Sequence, residues 1–257
     1  MMVQHSVNSQ RTNPWLVIRA PRPTARLRLI CFHYAGGGAH AYRTWDKHLP
    51  PGIEVVAVQF PGRGVRLTEE PLTSIDALLP ALMEGLTPAL TKPYAFFGHS
   101  MGALIAFEVT RHLRRQKKSL PVHLFVSGRG GPRERDWDVK FSELPEAELV
   151  AELERYGGAP KEVLENTELI RLMLPTIRAD FKLCETYSYV PEEPLDCPIS
   201  ACGGLEDFEV KQERLDTWRD ETSAAFKLRM FPGGHFYLQK SEPSILQTIL
   251  RDLQSFL

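Results

Sequence analysis

Gly98-His99-Ser100-Met101-Gly102 is the stretch whose reading decides the fold, because of what lies on either side of it. Upstream, Tyr94-Ala95-Phe96-Phe97 reads as a buried strand; downstream, Ala103, Leu104, Ala106, Phe107, Val109 and Leu113 recur at helical spacing. Strand, sharp turn and helix follow one another, with a serine at the turn. A serine on so tight a turn takes strained backbone, and the residues two before and two after it pass close to flanking chain with no room for a Cβ. Gly98 and Gly102 meet that need. The bare pentapeptide also fits an ordinary turn with a solvated serine, but its flanks make Ser100 a nucleophile candidate.

A nucleophilic serine needs a base, and with this turn the base follows an acid near the end of the chain, in the order Ser, Asp, His. Phe231-Pro232-Gly233-Gly234-His235-Phe236 supplies it, after the strand-like run Phe226, Leu228, Met230 and before a terminal helix from Pro243 to Phe256. The bland alternative for His235 is a turn histidine satisfied by local backbone. His99, inside the elbow, reads as a positioning or pocket residue, His112 as helix surface and His123 as a strand position. The acid belongs just past the preceding strand, Ile199 to Gly203, where Glu206 and Asp207 compete. Asp207 is chosen, since Val210 and a helix carrying Leu215 and Trp218 anchor the loop behind it; Glu206 reads as solvated. Its task is to hold the imidazole tautomer and stabilise the imidazolium.

The apolar strand Leu27 to Phe32 runs into His33-Tyr34-Ala35-Gly36-Gly37-Gly38-Ala39. Consecutive glycines after a strand also suit a phosphate cradle, but the Gly-x-x-x-x-Gly-Lys-Ser/Thr spacing is absent and no acid is placed for a ribose. An oxyanion hole made of the Ala35 and Met101 amides is the better reading.

With these residues in hand, the chain resembles the type II thioesterases that accompany nonribosomal peptide and polyketide synthases. The resemblance runs from about residue 27 to the end. It rests on Cys31-Phe32 with Tyr34-Ala35-Gly36-Gly37, Tyr42 and Trp45, Gln59-Phe60-Pro61-Gly62-Arg63 with Arg66 and Glu70, and the Ser100 elbow. It continues through Leu174-Pro175 with Arg178-Ala179-Asp180, Gly203-Gly204 with Asp207 and Trp218, and Gly233-Gly234-His235-Phe236. His33 stands where these proteins often have proline, and Gly38 where they often have serine. The resemblance implies an α/β-hydrolase fold and a triad of Ser100, Asp207 and His235. It also implies oxyanion amides at Ala35 and Met101, and hydrolysis of acyl groups stalled on the phosphopantetheine arm of acyl or peptidyl carrier proteins. A chain-terminating thioesterase that releases a finished product, a noncatalytic carrier-protein partner and a general carboxylesterase are the competing readings.

Composition agrees. A single α/β-hydrolase domain spanning 1–257 is expected at this length, and a net charge of −1 gives no argument for nucleic acid or an anionic membrane. No apolar run is long enough to span a bilayer, and Met1 to Thr12 lacks the apolar stretch of a signal peptide, so a cytoplasmic protein is expected, as a monomer. Cys31, Cys184, Cys197 and Cys202 show no metal-ligand spacing and read as free thiols in a reduced compartment; no metal or resident cofactor is expected.

Strands are expected at Leu27 to Phe32, Ile53 to Phe60, Tyr94 to Gly98, Val122 to Ser127, Ile199 to Gly203 and Phe226 to Phe231. Helices are expected near Tyr42 to Leu49, Ile75 to Leu90, Ala103 to Arg115, Lys211 to Arg219 and Pro243 to Phe256. This alternation demands a mainly parallel sheet with helices on both faces. An insertion at about 130–193 opens on Gly130-Gly131-Pro132, read as an exposed connection. It then carries helical patterns at Leu144 to Leu153 and Thr167 to Cys184, and is read as a helical lid over the serine. Arg63, Arg66 and Arg178 fit either an acidic carrier surface or structural ion pairs and are not assigned to binding.

Overall fold

Runs such as Leu-Ile-Cys-Phe and Val-Val-Ala-Val are apolar at every position, which suits strands covered on both faces rather than on one. The computed structural model describes residues 13–134, 139–158, 161–164 and 166–257, so the reading of Met1 to Thr12 lies outside the described residues. Its strands are β1 (Leu16–Val17), β2 (Leu27–Phe32), β3 (Ile53–Val58), β4 (Tyr94–His99), β5 (Leu124–Ser127), β6 (Ile199–Gly204) and β7 (Phe226–Phe231). They form one seven-stranded sheet in the order β1-β3-β2-β4-β5-β6-β7, parallel except for β1 against β3. The helices are α1 (Trp45–His48), α2 (Ile75–Leu86), α3 (Met101–Arg115), α4 (Glu146–Tyr156), α5 (Lys161–Leu164), α6 (Thr167–Glu185), α7 (Gln212–Asp216) and α8 (Glu242–Leu253). This is the α/β-hydrolase architecture expected.

Alternate residues of each strand feed opposite faces. Ile30, Phe32, Tyr94 and Phe96 join α2, α3 and Trp218 on one side. Leu27, Leu29, Cys31, Ala95 and Phe97 join Trp45 and α8 on the other. The chain order reverses at β2, whose neighbours are β3 on one side and β4 on the other. In such sheets that switch point, at the carboxyl ends of the strands, is where a site forms. Register makes this concrete: Phe32 lies beside Gly98, so the loop after β2 and the Ser100 elbow leave the sheet side by side.

Several expectations are corrected. β3 ends at Val58, β5 begins at Leu124 with His123 just before it, and β1 was not foreseen. The helix expected to reach Leu90 ends at Leu86 and continues as a 3-10 turn to Thr91, because Pro88 lacks the amide an α-helix would use. The helix expected from Tyr42 to Leu49 is a 3-10 turn, Ala39–Tyr42, followed by the short α1. α7 likewise gives way to a 3-10 turn over Thr217–Glu221, and α8 to one over Gln254–Phe256.

Gly130-Gly131-Pro132 is buried, not exposed. The Gly131 amide donates to Thr217 Oγ1 (3.0 Å) and the Arg214 carbonyl (3.2 Å), an approach so close that a Cβ there would sit 2.5 Å from Thr217 Oγ1. The inserted helices carry their own small cluster, in which Phe141 stacks on Phe181 at 5.0 Å beside Leu149, Ile170, Leu174 and Ile177. α6 is double-duty, because beyond Pro175 its Leu183 and Cys184 enter the main core.

Candidate active site

Each site residue hangs from the carboxyl end of a different strand. Ser100 follows β4 with φ 53° and ψ −114°, a left-handed conformation rare for a residue with a Cβ. Its amide donates to the Ser127 carbonyl at the end of β5 (2.7 Å), which holds the turn against the sheet. The two glycines are sterically obligatory. A Cβ at Gly98 would lie 2.1 Å from the Gly102 carbonyl oxygen, and one at Gly102 would lie 2.0 Å from that of Phe32.

β6 and β7 bring acid and base together in the same way. A Cβ at Gly204 would fall 2.3 Å from the carbonyl oxygens of Gly233 and Gly234, and the Glu206 amide donates to the Gly233 carbonyl at 2.9 Å. With the two loops so joined, His235 Nδ1 lies 2.8 Å from Asp207 Oδ2. The other carboxylate oxygen, Oδ1, accepts the amides of Glu209 (3.0 Å) and Val210 (3.1 Å). Burial pushes the Asp207 carboxyl up, but the hydrogen bond and charge of His235 and those two amides outweigh it and hold it below its ordinary value. Asp207 is therefore ionised near neutrality. His235 Nδ1 must then carry the hydrogen, which leaves Nε2 as the basic nitrogen. Of the two competing carboxylates, Glu206 is exposed, whereas Asp207 is buried and bonded to His235.

Ser100 and His235 border a common small cleft, walled by Gly128, Arg129, Val210 and Arg214 and by Tyr156 from the end of α4. The Tyr156 ring meets the imidazole of His235 edge-on at 5.5 Å. Ala35 lies in the loop after β2, and Met101, immediately after Ser100, is the first residue of α3. Neither donates to a protein acceptor among the described residues. Among those residues, no three His, Cys, Asp or Glu side chains gather as a metal's ligand set would require.

His99 is fully buried beneath the base, its ring 5.2 Å from that of His235. Its Nδ1 pairs with Ser127 Oγ (2.8 Å), which in turn meets the Tyr237 hydroxyl (2.5 Å). Burial, with the charge of His235 adding to it, holds His99 well below the ordinary histidine value, so it is a neutral floor to the site.

The three arginines left open in the sequence make internal contacts. Arg66 pairs with Glu69 and lies 4.0 Å over the Trp15 ring, and Arg178 donates to the Ser142 carbonyl (2.8 Å). Arg63 forms a bidentate pair with Asp180 of α6, Nη1 to Oδ2 at 2.6 Å and Nη2 to Oδ1 at 2.8 Å. That pair and the Ser127–Tyr237 network were missed in the sequence. The one available signal was an aspartate set within the apolar stripe of α6, between Ile177 and Phe181.

The Thioesterase domain family model matches residues 27–253. Curated relatives include "Gramicidin S biosynthesis protein GrsT" of Aneurinibacillus migulanus, 40% identical over 95% of this chain and 95% of that protein. Another, from Brevibacillus parabrevis, carries the name "Linear gramicidin dehydrogenase LgrE" and is 43% identical over 95% of this chain and 94% of its own length. Among solved structures, the type II thioesterase BorB from the borrelidin biosynthetic cluster superposes with a TM-score of 0.86 at 39% identity, covering 93% of this chain and 98% of that one.

Proposed function

This chain belongs to the thioesterase family, and from that premise we propose that it is an editing thioesterase of a nonribosomal peptide or polyketide pathway. It hydrolyses acyl groups stalled on the phosphopantetheine arm of carrier proteins. The observation that carries the reading is a strained serine and a histidine on one cavity, with a buried ionised aspartate hydrogen-bonded to that histidine.

Ser100 Oγ attacks the thioester carbonyl carbon while His235 Nε2 takes its proton. The negative oxygen that forms is received by the Ala35 and Met101 amides, which have no protein acceptor among the described residues. The C–S bond breaks, His235 returns the proton to the pantetheine sulfur, and the thiol departs. Water then attacks the acyl-enzyme with His235 again as base, releasing the carboxylic acid and restoring Ser100. Asp207 holds the imidazole in one tautomer throughout.

The helices of the insertion act as a lid, and Tyr156 walls the cavity beside the base. The buried free cysteines suit the cytoplasm, and among the described residues no helix is long and apolar enough to cross a membrane.

Intact-mass spectrometry of a carrier protein loaded with acetyl, propionyl or longer acyl groups tests the reading. Loss of several short acyl groups with the wild-type chain and none with Ser100→Ala is the expected result. Cleavage of only one long acyl group makes the protein a product-releasing thioesterase, and inert carriers beside rapid hydrolysis of free esters make it a general esterase.

A further inference from the structure

We propose that Asp180 is a positioning residue for thioester hydrolysis, gripping the loop after β2 so that the Ala35 amide faces the oxyanion and locking that loop to α6. The inference rests on the assignment of Ala35 under the proposed function. Its basis is a set of anchors on either side of Ala35, whose own amide has no protein acceptor among the described residues.

Three donor contacts converge on the buried Asp180 carboxylate. They are the Gly36 amide on Oδ2 (2.7 Å), Arg63 Nη1 on the same oxygen (2.6 Å) and Arg63 Nη2 on Oδ1 (2.8 Å). Arg63 Nη1 also reaches the Gly37 carbonyl (3.2 Å). The loop is pinned further along by Gln59, whose Oε1 accepts the Ala39 amide (2.9 Å) while its Nε2 donates to the Arg63 carbonyl (3.0 Å). α6 holds the Arg63 turn as well, through Thr176 Oγ1 on the Gly62 carbonyl (2.6 Å). Gly36 itself has φ +72°, and a Cβ there would lie 3.0 Å from Ile177 Cγ1 of α6.

A buried ion pair is weak evidence of stabilisation, since desolvation cancels most of the attraction. What this pair supplies is direction. Both partners are almost fully shielded, Arg63 at 8% and Asp180 at 3% exposure, and among the described residues their other side-chain hydrogen bonds go to the loop after β2 or to the turn beside it. A displacement of about 1 Å in an oxyanion donor costs on the order of a hundredfold in rate. The second half of α6 is thus catalytic scaffold as much as lid.

The decisive variant is the double Arg63→Met/Asp180→Leu, which removes both charges and leaves neither stranded. Four quantities are read: melting temperature, kcat and KM on an acetyl-loaded carrier protein, and the dissociation constant of a short alkylboronic acid whose tetrahedral adduct with Ser100 uses the two amides. A positioning role predicts a melting temperature within a few degrees of wild type and a KM within about threefold, with kcat and boronate affinity each lower by roughly tenfold or more. A purely structural role predicts that kcat and boronate affinity recover with folding, and that result overturns the inference. Should the double variant fail to fold, Asp180→Asn decides by the same split between kcat and KM. A wild-type protein that binds the boronate yet leaves acyl carriers intact refutes the thioesterase reading instead, and the boronate series still judges Asp180 by itself.

Discussion

Asp207 is a carboxylate kept ionised out of water, and its charge sets what His235 can do. Two backbone amides on Oδ1 and the imidazole on Oδ2 hold it in one geometry. In Asp207→Asn an amide oxygen can still accept from Nδ1, but the charge that stabilises the imidazolium is gone and the other tautomer becomes competitive. kcat on a short acyl thioester is expected to fall roughly a thousandfold or more, with KM little changed, as for other triad members. Glu206→Gln, one position away and exposed, should leave kcat within about twofold. Equal losses in the two variants would mean that the acid has been misassigned. The three residues of the proposed triad stand out in the sequence because each follows a strand with an apolar pattern, in the chain order that a serine elbow demands. The Arg63–Asp180 pair was not, for 117 positions separate the partners and neither has a local pattern that names the other.

At the scale of elements, the elbow is a contact between β2, β4 and α3 with no space for a side chain. Gly102→Ala places a carbon 2.0 Å from the Phe32 carbonyl oxygen, a backbone atom that cannot yield without separating β2 from α3. That variant is expected to lose several kcal/mol of stability or to misplace Ser100. A purified Gly102→Ala protein with wild-type melting temperature and wild-type acylation by a fluorophosphonate would refute this account of the turn. The elbow was readable because its steric demand is written in the residues themselves. β1 was not, since Leu16–Val17 offers only two half-buried residues, too few for any period to register. The insertion was legible as helices but not as surfaces, because periodicity shows that α6 has an apolar face without showing that the face divides between the lid cluster and the main core.

Over the whole molecule, burial of histidine links the fold to acidity. His33, His99 and His123 are each held below the ordinary histidine value, chiefly by burial, and His123 falls to about 4. His123 stacks on Phe125 and pairs with Ser200, which Asp252 also engages; the nearby Asp252 charge opposes the shift, while Lys227 and Arg229 add to it. For a group whose folded pKa is depressed, the unfolded chain binds more protons between the two values. Stability is then full above about 6.5 and is lost as pH falls toward the folded value. His123 alone contributes about 3 kcal/mol across that window, and His33 and His99 add loss of the same sign. Asp207 and Asp252, both held low, extend the loss further, Asp252 down to about 2. The melting temperature is therefore expected to be flat from pH 8 to 7 and to decline steadily from about pH 6.5 to 4, with a shallower decline in His123→Gln. Calorimetry across that range checks it, and a melting temperature that holds constant down to pH 4.5 would show that these histidines take up protons without unfolding the core.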